Sequence, residues 1–201
     1  MMKHLMIGVL LWSWGVLAWA ADPEPVALIR STADYVLQQV SERKAELQKD
    51  SSGIYALVKE KVLPHFDFRV MVRGAVGRYW RQATEAQKQQ LTDEFREMLV
   101  RTYATTLLNY ADQKIEYLPF HGQPGDRKVK VSTRIIDKAS PPVPIDYRLY
   151  RKNGEWKIYD VVVDGVSLVS SYRNSFASQI RKQGINGLIR SLREHNVRVS
   201  S

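Results

Sequence analysis

The apolar residues of this chain follow two different periods, and this change constrains the fold more than any other feature of the sequence. Up to about residue 110 they recur every three or four positions, which is the spacing of one face of an α-helix. From residue 115 to 163 they alternate with polar residues, as in strands with one buried face. A last helical pattern follows. The sequence therefore predicts an α+β fold in which helices gather on one face of an antiparallel sheet.

The helical part is predicted to start with two helices before Pro64 and a third over Phe68–Ala75. The fourth has the clearest beginning, because Thr84 and Gln87 have the spacing of a capping box. Its apolar stripe extends over Leu91–Tyr110, about five helical turns.

The alternating part predicts four strands joined as a meander. The alternating positions lie in residues 115–117, 129–135, 143–149 and 156–163. Between the last two segments, Asn153–Gly154 is the dipeptide most typical of a two-residue hairpin turn. A final amphipathic helix is predicted to begin near Ser167 and to stop at Gly184, with a short terminal helix over residues 185–192.

The first twenty residues have the pattern of a secretory signal. Lys3 precedes an apolar run over Leu5–Leu17, which is thirteen residues and too short to cross a bilayer. Small residues then occupy both positions that a signal peptidase reads, in Ala18–Trp19–Ala20. We expect cleavage after Ala20, which leaves residues 21–201 as a single domain outside the cytoplasm, in a Gram-negative periplasm. A retained anchor is the alternative.

Composition narrows the possible functions. The chain has no cysteine, which excludes disulfides, thiolate metal sites and a cysteine nucleophile. Its formal net charge is +9, and removing the segment with Lys3 leaves +8. In the expected compartment this charge favours an anionic membrane surface or an acidic protein over nucleic acid. A solvated basic face without a partner is the alternative.

Catalytic motifs are absent from the sequence. The histidines that follow the predicted signal are not at ligand spacing, so no metal site is predicted. Ser167 follows Gly165 but is interpreted as a helix cap. Asp160 lies in an apolar strand, where it could act as a general base or could be paired with an arginine or a backbone amide. The residues alone leave both interpretations of Asp160 open.

Several motifs occur in order over nearly the whole expected mature chain: VLPHFDF at 62–68, MVRGAVGRYWRQAT at 71–84, LVRTY at 99–103, WKIYDV at 156–161, GVSL at 165–168 and GINGL at 184–188. Together these motifs resemble the MlaC family of periplasmic phospholipid carriers, which are also known as toluene-tolerance proteins. One departure is Asn186, where the family usually has Asp, and Asn also serves well as a helix cap.

The resemblance implies a fold and a function. It implies helices on a curved antiparallel sheet, similar to the NTF2 or cystatin layout, with phospholipid tails between the two layers and the head group near the mouth. It implies no catalysis and no cofactor, with phospholipid as cargo. It implies exchange of lipid between an outer-membrane lipoprotein–porin complex and an inner-membrane ABC-transporter complex, which maintains outer-membrane asymmetry.

Site residues are chosen as inward positions of the predicted elements. Each has an alternative interpretation as ordinary core, because a cavity wall and a packed interior use the same side chains. The expected lipid-binding residues are Met71, Val72, Val76, Met98, Leu99 and Tyr103 from the helices, and Val131, Tyr147, Leu149, Ile158 and Val161 from the sheet. The candidates for the head-group phosphate are Arg78, Arg134 and Arg148.

Two other functions remain open from the sequence. One is a periplasmic enzyme on an NTF2-like sheet with Asp160 as general base. The other is a docking module that uses its basic face to hold membrane complexes together and binds no lipid.

Overall fold

The computed structural model describes residues 22–110, 113–137 and 140–198, so the predicted signal lies outside the described residues. Six α-helices are present in this part of the chain: α1 (Glu24–Glu42), α2 (Lys44–Lys49), α3 (Ser52–Lys61), α4 (Phe68–Val76), α5 (Glu85–Tyr103) and α6 (Leu168–Arg198). Short 3-10 helices cover Leu63–His65, Gly77–Arg81 and Ala104–Asn109. No helix among these residues is both long enough and apolar enough to span a membrane.

The predicted starts of α4 and α5 are confirmed by their caps. The backbone N–H of Gln87 donates to Thr84 Oγ1 over 3.2 Å, and the N–H of Thr84 donates to Gln87 Oε1 over 2.9 Å. At the start of α4, Val70 N–H donates to Asp67 Oδ1 over 3.1 Å.

Two helix boundaries differ from the prediction. Three helices precede Pro64 rather than two, because the backbone leaves helical geometry at Arg43 and separates α2 from α1. Helix α5 ends at Tyr103, and residues 104–109 continue as a 3-10 helix. Apolar residues spaced by three or four positions suit both kinds of helix, so the pattern could not separate them.

The sheet has five antiparallel strands in sequential order, one more than predicted. They are β1 (Lys114–Tyr117), β2 (Lys128–Ile136), β3 (Val143–Lys152), β4 (Glu155–Val163) and β5 (Val166–Ser167). The extra strand, β5, is only two residues long, and an alternating pattern cannot be recognised in so short a segment.

Left-handed backbone conformations occur where the chain reverses. Asn153 and Gly154 have φ of 51° and 88°, which confirms the predicted tight hairpin between β3 and β4. Asp164 and Gly165 have φ of 48° and 77° and turn β4 into β5. Gly184, with φ of 71°, interrupts α6 at the predicted position.

The helices form much of the core without the sheet. Side chains of α4, α5 and α6 pack together around Phe95, which is fully buried and makes edge-to-face contacts with Tyr172 and Phe176. A second cluster joins α1, α3 and the 3-10 helix after α5, around Val40 and Ile54. The sheet contributes to a third cluster, with the beginning of α1.

Candidate functional site

The strand register gives the sheet one apolar face toward the helices. Val131, Tyr147 and Val161 lie opposite one another on β2, β3 and β4. The next row on the same face continues with Ile145 of β3 and Val163 of β4. Residues between these positions point to the other face, which is largely polar.

One end of this apolar face is closed by α1. Val131, Leu149 and Ile158 pack against Val26 and Ile29 of α1, and each of these side chains is at most 5% exposed. Packing around Val131 and Leu149 is that of an ordinary core.

The other end is hollow. Between the sheet, α1 and the end of α5 lies a cavity of about 700 Å³, within the range of small-molecule binding sites. Its sheet wall includes Ile135, Val143 and Ile145. Its helical wall includes Val36 of α1 and Leu107 after α5.

Six of the eleven predicted lipid-binding residues line this cavity: Met71, Leu99, Tyr103, Tyr147, Ile158 and Val161. The structure therefore brings together residues from two helices and two strands that are up to 90 positions apart in sequence.

The other five predicted residues lie outside the cavity. On the helices, Val72, Val76 and Met98 are buried in the cluster formed by α4, α5 and α6. The reason is rotation about the helix axis, since Met71 and Val72, like Met98 and Leu99, are neighbours whose side chains diverge by about 100°. On the sheet, Val131 and Leu149 are covered by α1.

Helix α1 and the segment after α5 contribute lining residues that the sequence interpretation missed. Leu28, Thr32 and Val36 recur at intervals of four, and Ile29 and Ala33 form a second row beside them. Apart from Thr32 both rows are apolar, and together they make a face wider than packing on one neighbour requires. This signal was available in the sequence.

The cavity wall carries almost no charge. Among the lining residues that the structure describes, none is Lys, Arg, Asp or Glu. His65 is the one basic side chain in that set. Burial and the nearby charge of Lys157 lower the pKa of His65 below its ordinary value of 6.5, so the imidazole is neutral at pH 7. Such a wall can surround hydrocarbon but cannot neutralise an anionic group.

The mouth of the cavity is apolar as well. Tyr103, Val163 and Val166 line the cavity and are 45%, 43% and 61% exposed. Burial and the nearby hydroxyl of Tyr103 raise the pKa of Tyr172 of α6, so the end of α5 lies beside that helix at the mouth. Exposed apolar side chains around a cavity are typical of ligand or partner sites.

The three arginines predicted for the head group do not line the cavity, and each is engaged elsewhere. Arg78 donates to the hydroxyl of Tyr79 over 3.1 Å. Arg134 and Arg148 point to the outer face of the sheet, where they lie 3.7 Å from Glu116 and 3.0 Å from Asp160.

Asp160 is a structural acceptor on that outer face. It is 4% exposed, and one carboxylate oxygen accepts the N–H of Val169 while the other accepts the Ser167 hydroxyl and Arg148. Ser167 Oγ in turn accepts the N–H of Ser170 over 3.1 Å, which confirms Ser167 as the cap of α6. The structure thus places Asp160 in the paired arrangement, and it does not line the cavity.

Asp67 connects the start of α4 to strands β3 and β4 at the base of the site. It accepts hydrogen bonds from Tyr150 and Lys152, and its own N–H donates to Ile158 O over 2.9 Å. Burial alone would raise the pKa of Asp67, but hydrogen bonds from Lys152, Tyr150 and Val70 together hold the pKa below its ordinary value.

The described residues contain no group of three or more His, Asp or Glu side chains placed to hold a metal ion.

Several known proteins are similar to this chain in sequence or in structure. A phospholipid-binding protein from Ralstonia solanacearum, solved in complex with a phospholipid, is similar with a TM-score of 0.81 and 33% identity, over 89% of this chain and 100% of that one. The intermembrane phospholipid transport system binding protein MlaC of Haemophilus influenzae is 26% identical over 87% of this chain and 83% of its own. Toluene tolerance protein ttg2D of Pseudomonas putida is 25% identical over 88% and 81%. The profile described as MlaC protein matches residues 30–194, most of the length of the chain, and the chain therefore belongs to the MlaC family.

Proposed function

We propose that this protein binds phospholipid with the acyl chains inside the cavity and carries it between membranes. The observation that supports this most is the cavity itself, which has an apolar wall without Lys, Arg, Asp or Glu among its described residues and opens through an apolar mouth. The similar structure from Ralstonia solanacearum contains a phospholipid.

The energetics of lipid transfer require such an enclosure. A phospholipid with about 30 methylenes would lose roughly 24 kcal/mol if its tails were exposed to water, at about 0.8 kcal/mol per methylene. A wall of Val, Leu, Ile and Tyr side chains solvates hydrocarbon about as well as a bilayer does. Transfer between membrane and cavity is then nearly neutral, so the direction of transport must come from a partner.

The polar end of the lipid stays outside. An ionised phosphate inside the cavity would have no Lys or Arg among the described lining residues to neutralise it, which is strongly unfavourable. The tails contact Met71, Leu99, Tyr147, Ile158 and Val161, and the head group lies in solvent at the mouth beside Tyr103.

Two observations support a periplasmic setting for this carrier. The signal-like segment over residues 1–20 supports export to the periplasm, and the printed name of the Haemophilus influenzae relative refers to intermembrane transport. We propose that the partners are an inner-membrane ABC-transporter complex and an outer-membrane lipoprotein–porin complex. The protein acts as a carrier without covalent chemistry or a cofactor.

Neighbouring residues of β2 provide a matched test. Ile135 lines the cavity, whereas Ile136 points to the outer face, and both are half-buried. We expect Ile135→Trp to occupy part of the cavity and to lower the phospholipid that co-purifies without detergent severalfold. Ile136→Trp should retain the parental amount. Equal retention by both variants would contradict the proposed placement of the tails.

A further inference from the structure

Two segments that lie side by side carry basic residues and no acidic ones. Residues 68–84 include four arginines, residues 168–193 include four arginines and one lysine, and neither segment contains Asp or Glu. Helices α4 and α6 pack directly on each other, and Arg173 Nε donates to Gly74 O over 3.1 Å. We call the exposed surface of these two segments the basic face.

Most of these cations lack an acidic partner. Arg69 pairs with Glu85 and Arg193 pairs with Glu94, both at the margins of the basic face. Within residues 22–110, 113–137 and 140–198, the other seven have no carboxylate within 4.0 Å: Arg73, Arg78, Arg81, Arg173, Arg181, Lys182 and Arg190. Three cations on the outer face of the sheet, Lys130, Arg134 and Arg148, each have an acidic partner.

At the centre of the basic face two guanidinium groups converge on one phenol. Arg78 Nη2 donates to Tyr79 Oη over 3.1 Å. Arg78 and Arg181 of α6 together hold the pKa of this phenol below its ordinary value, so both guanidinium groups lie near its hydroxyl. Two guanidinium groups close to one point are suited to a phosphate group.

The basic face also lacks what a protein interface usually needs. The large apolar side chains that are most exposed in the described chain are Tyr35, Tyr103, Val163, Val166 and Val197, and none belongs to either segment. Specific protein interfaces depend on buried aromatic or aliphatic anchors, whereas a bilayer surface is recognised by clustered Lys and Arg.

We propose that the basic face docks on the surface of an anionic phospholipid bilayer, with lipid phosphates bound between Arg78 and Arg181. This interaction is separate from the cavity. Docking through α6 would hold the protein at the membrane, and the cavity mouth adjoins the first turn of the same helix through Leu168 and Ser171.

Vesicle co-sedimentation at low ionic strength tests the proposal. We expect the protein to bind vesicles of phosphatidylcholine and phosphatidylglycerol in equal parts, and not vesicles of phosphatidylcholine alone. Arg78→Gln/Arg181→Gln should weaken this binding about 30-fold, since each basic side chain near an anionic surface contributes roughly fivefold. Lys182→Gln/Arg190→Gln should weaken vesicle binding to a similar extent. Both of these residues are exposed, so the second variant tests the proposal even if the first one misfolds.

The matched control removes the same charge elsewhere. Lys114 and Lys128 are exposed on the outer face of the sheet, so Lys114→Gln/Lys128→Gln should bind almost as well as the parent. An equal loss in the control would show attraction by net charge only and would overturn the proposal, as would absence of binding by the parent. Co-purifying phospholipid, measured in the same samples, should be unchanged in every variant, which separates this result from a failure of the cavity function.

Discussion

At the scale of single residues, neighbouring side chains have different roles. On α5, Leu99 lines the cavity, whereas Met98 is buried among α4, α5 and α6. On α4, Met71 lines the cavity, whereas Val72 is buried in the same helical cluster. The sequence predicts that all four are inward, because apolarity and spacing report burial. A buried side chain can pack against a neighbouring side chain or can line a cavity. Which of these occurs depends on how α1 and α5 are placed over the sheet, and no local sequence pattern contains that information.

Asp160 gives a prediction at this scale. Asp160→Asn removes the charge beside Arg148 and weakens the acceptor for Ser167 at the start of α6. We expect the free energy of unfolding in urea to fall by about 1–3 kcal/mol. The folded variant should retain its phospholipid, because Asp160 does not line the cavity. Loss of lipid by a fully folded variant would contradict this purely structural role.

Asp67 gives a prediction about pH. Its folded pKa lies below the ordinary 3.8, so the stability that it contributes is present above that value and is lost as the pH falls through the folded pKa. The parent should therefore be more stable than Asp67→Asn near pH 7, and the difference should shrink below about pH 3.8. Denaturant unfolding from pH 7 to acid measures it, and a difference that stays constant throughout would refute the account.

At the scale of secondary-structure elements, α4 and α6 cross at Gly74. A Cβ atom at this position would lie 2.7 Å from Val169 Cγ1, closer than van der Waals contact permits. We expect Gly74→Val to push the helices apart, destabilise the fold by about 1–3 kcal/mol and lower the Tm by several degrees. An unchanged Tm would show that the crossing is looser than described.

Long elements were predictable from the sequence and short ones were not. The capping pair at Thr84, the Asn153–Gly154 hairpin and the break at Gly184 each follow from local chemistry and are present in the structure. Strand β5 and the 3-10 helix Ala104–Asn109 are not predictable, because two residues show no period and a short 3-10 helix has the same apolar spacing as an α-helix.

At the scale of the whole molecule, the fold can remain intact while the cavity is empty. Much of the core lies among α4, α5 and α6, around side chains such as Phe95 and Leu188 that do not line the cavity. We expect protein stripped of lipid to remain folded, with a Tm lower by about 5–10 °C than the lipid-bound form, since a ligand that binds only the folded state stabilises it. Calorimetry before and after delipidation measures this, and unfolding on delipidation would mean that the lipid is part of the core.

The central claim is that the cavity beneath the sheet contains lipid tails. Native mass spectrometry of protein purified without detergent tests it most directly. We expect a population heavier than the polypeptide by one or two phospholipids, which dissociates to the mass of the chain alone. A single species at the mass of the bare chain, under conditions that preserve other lipid complexes, would contradict it.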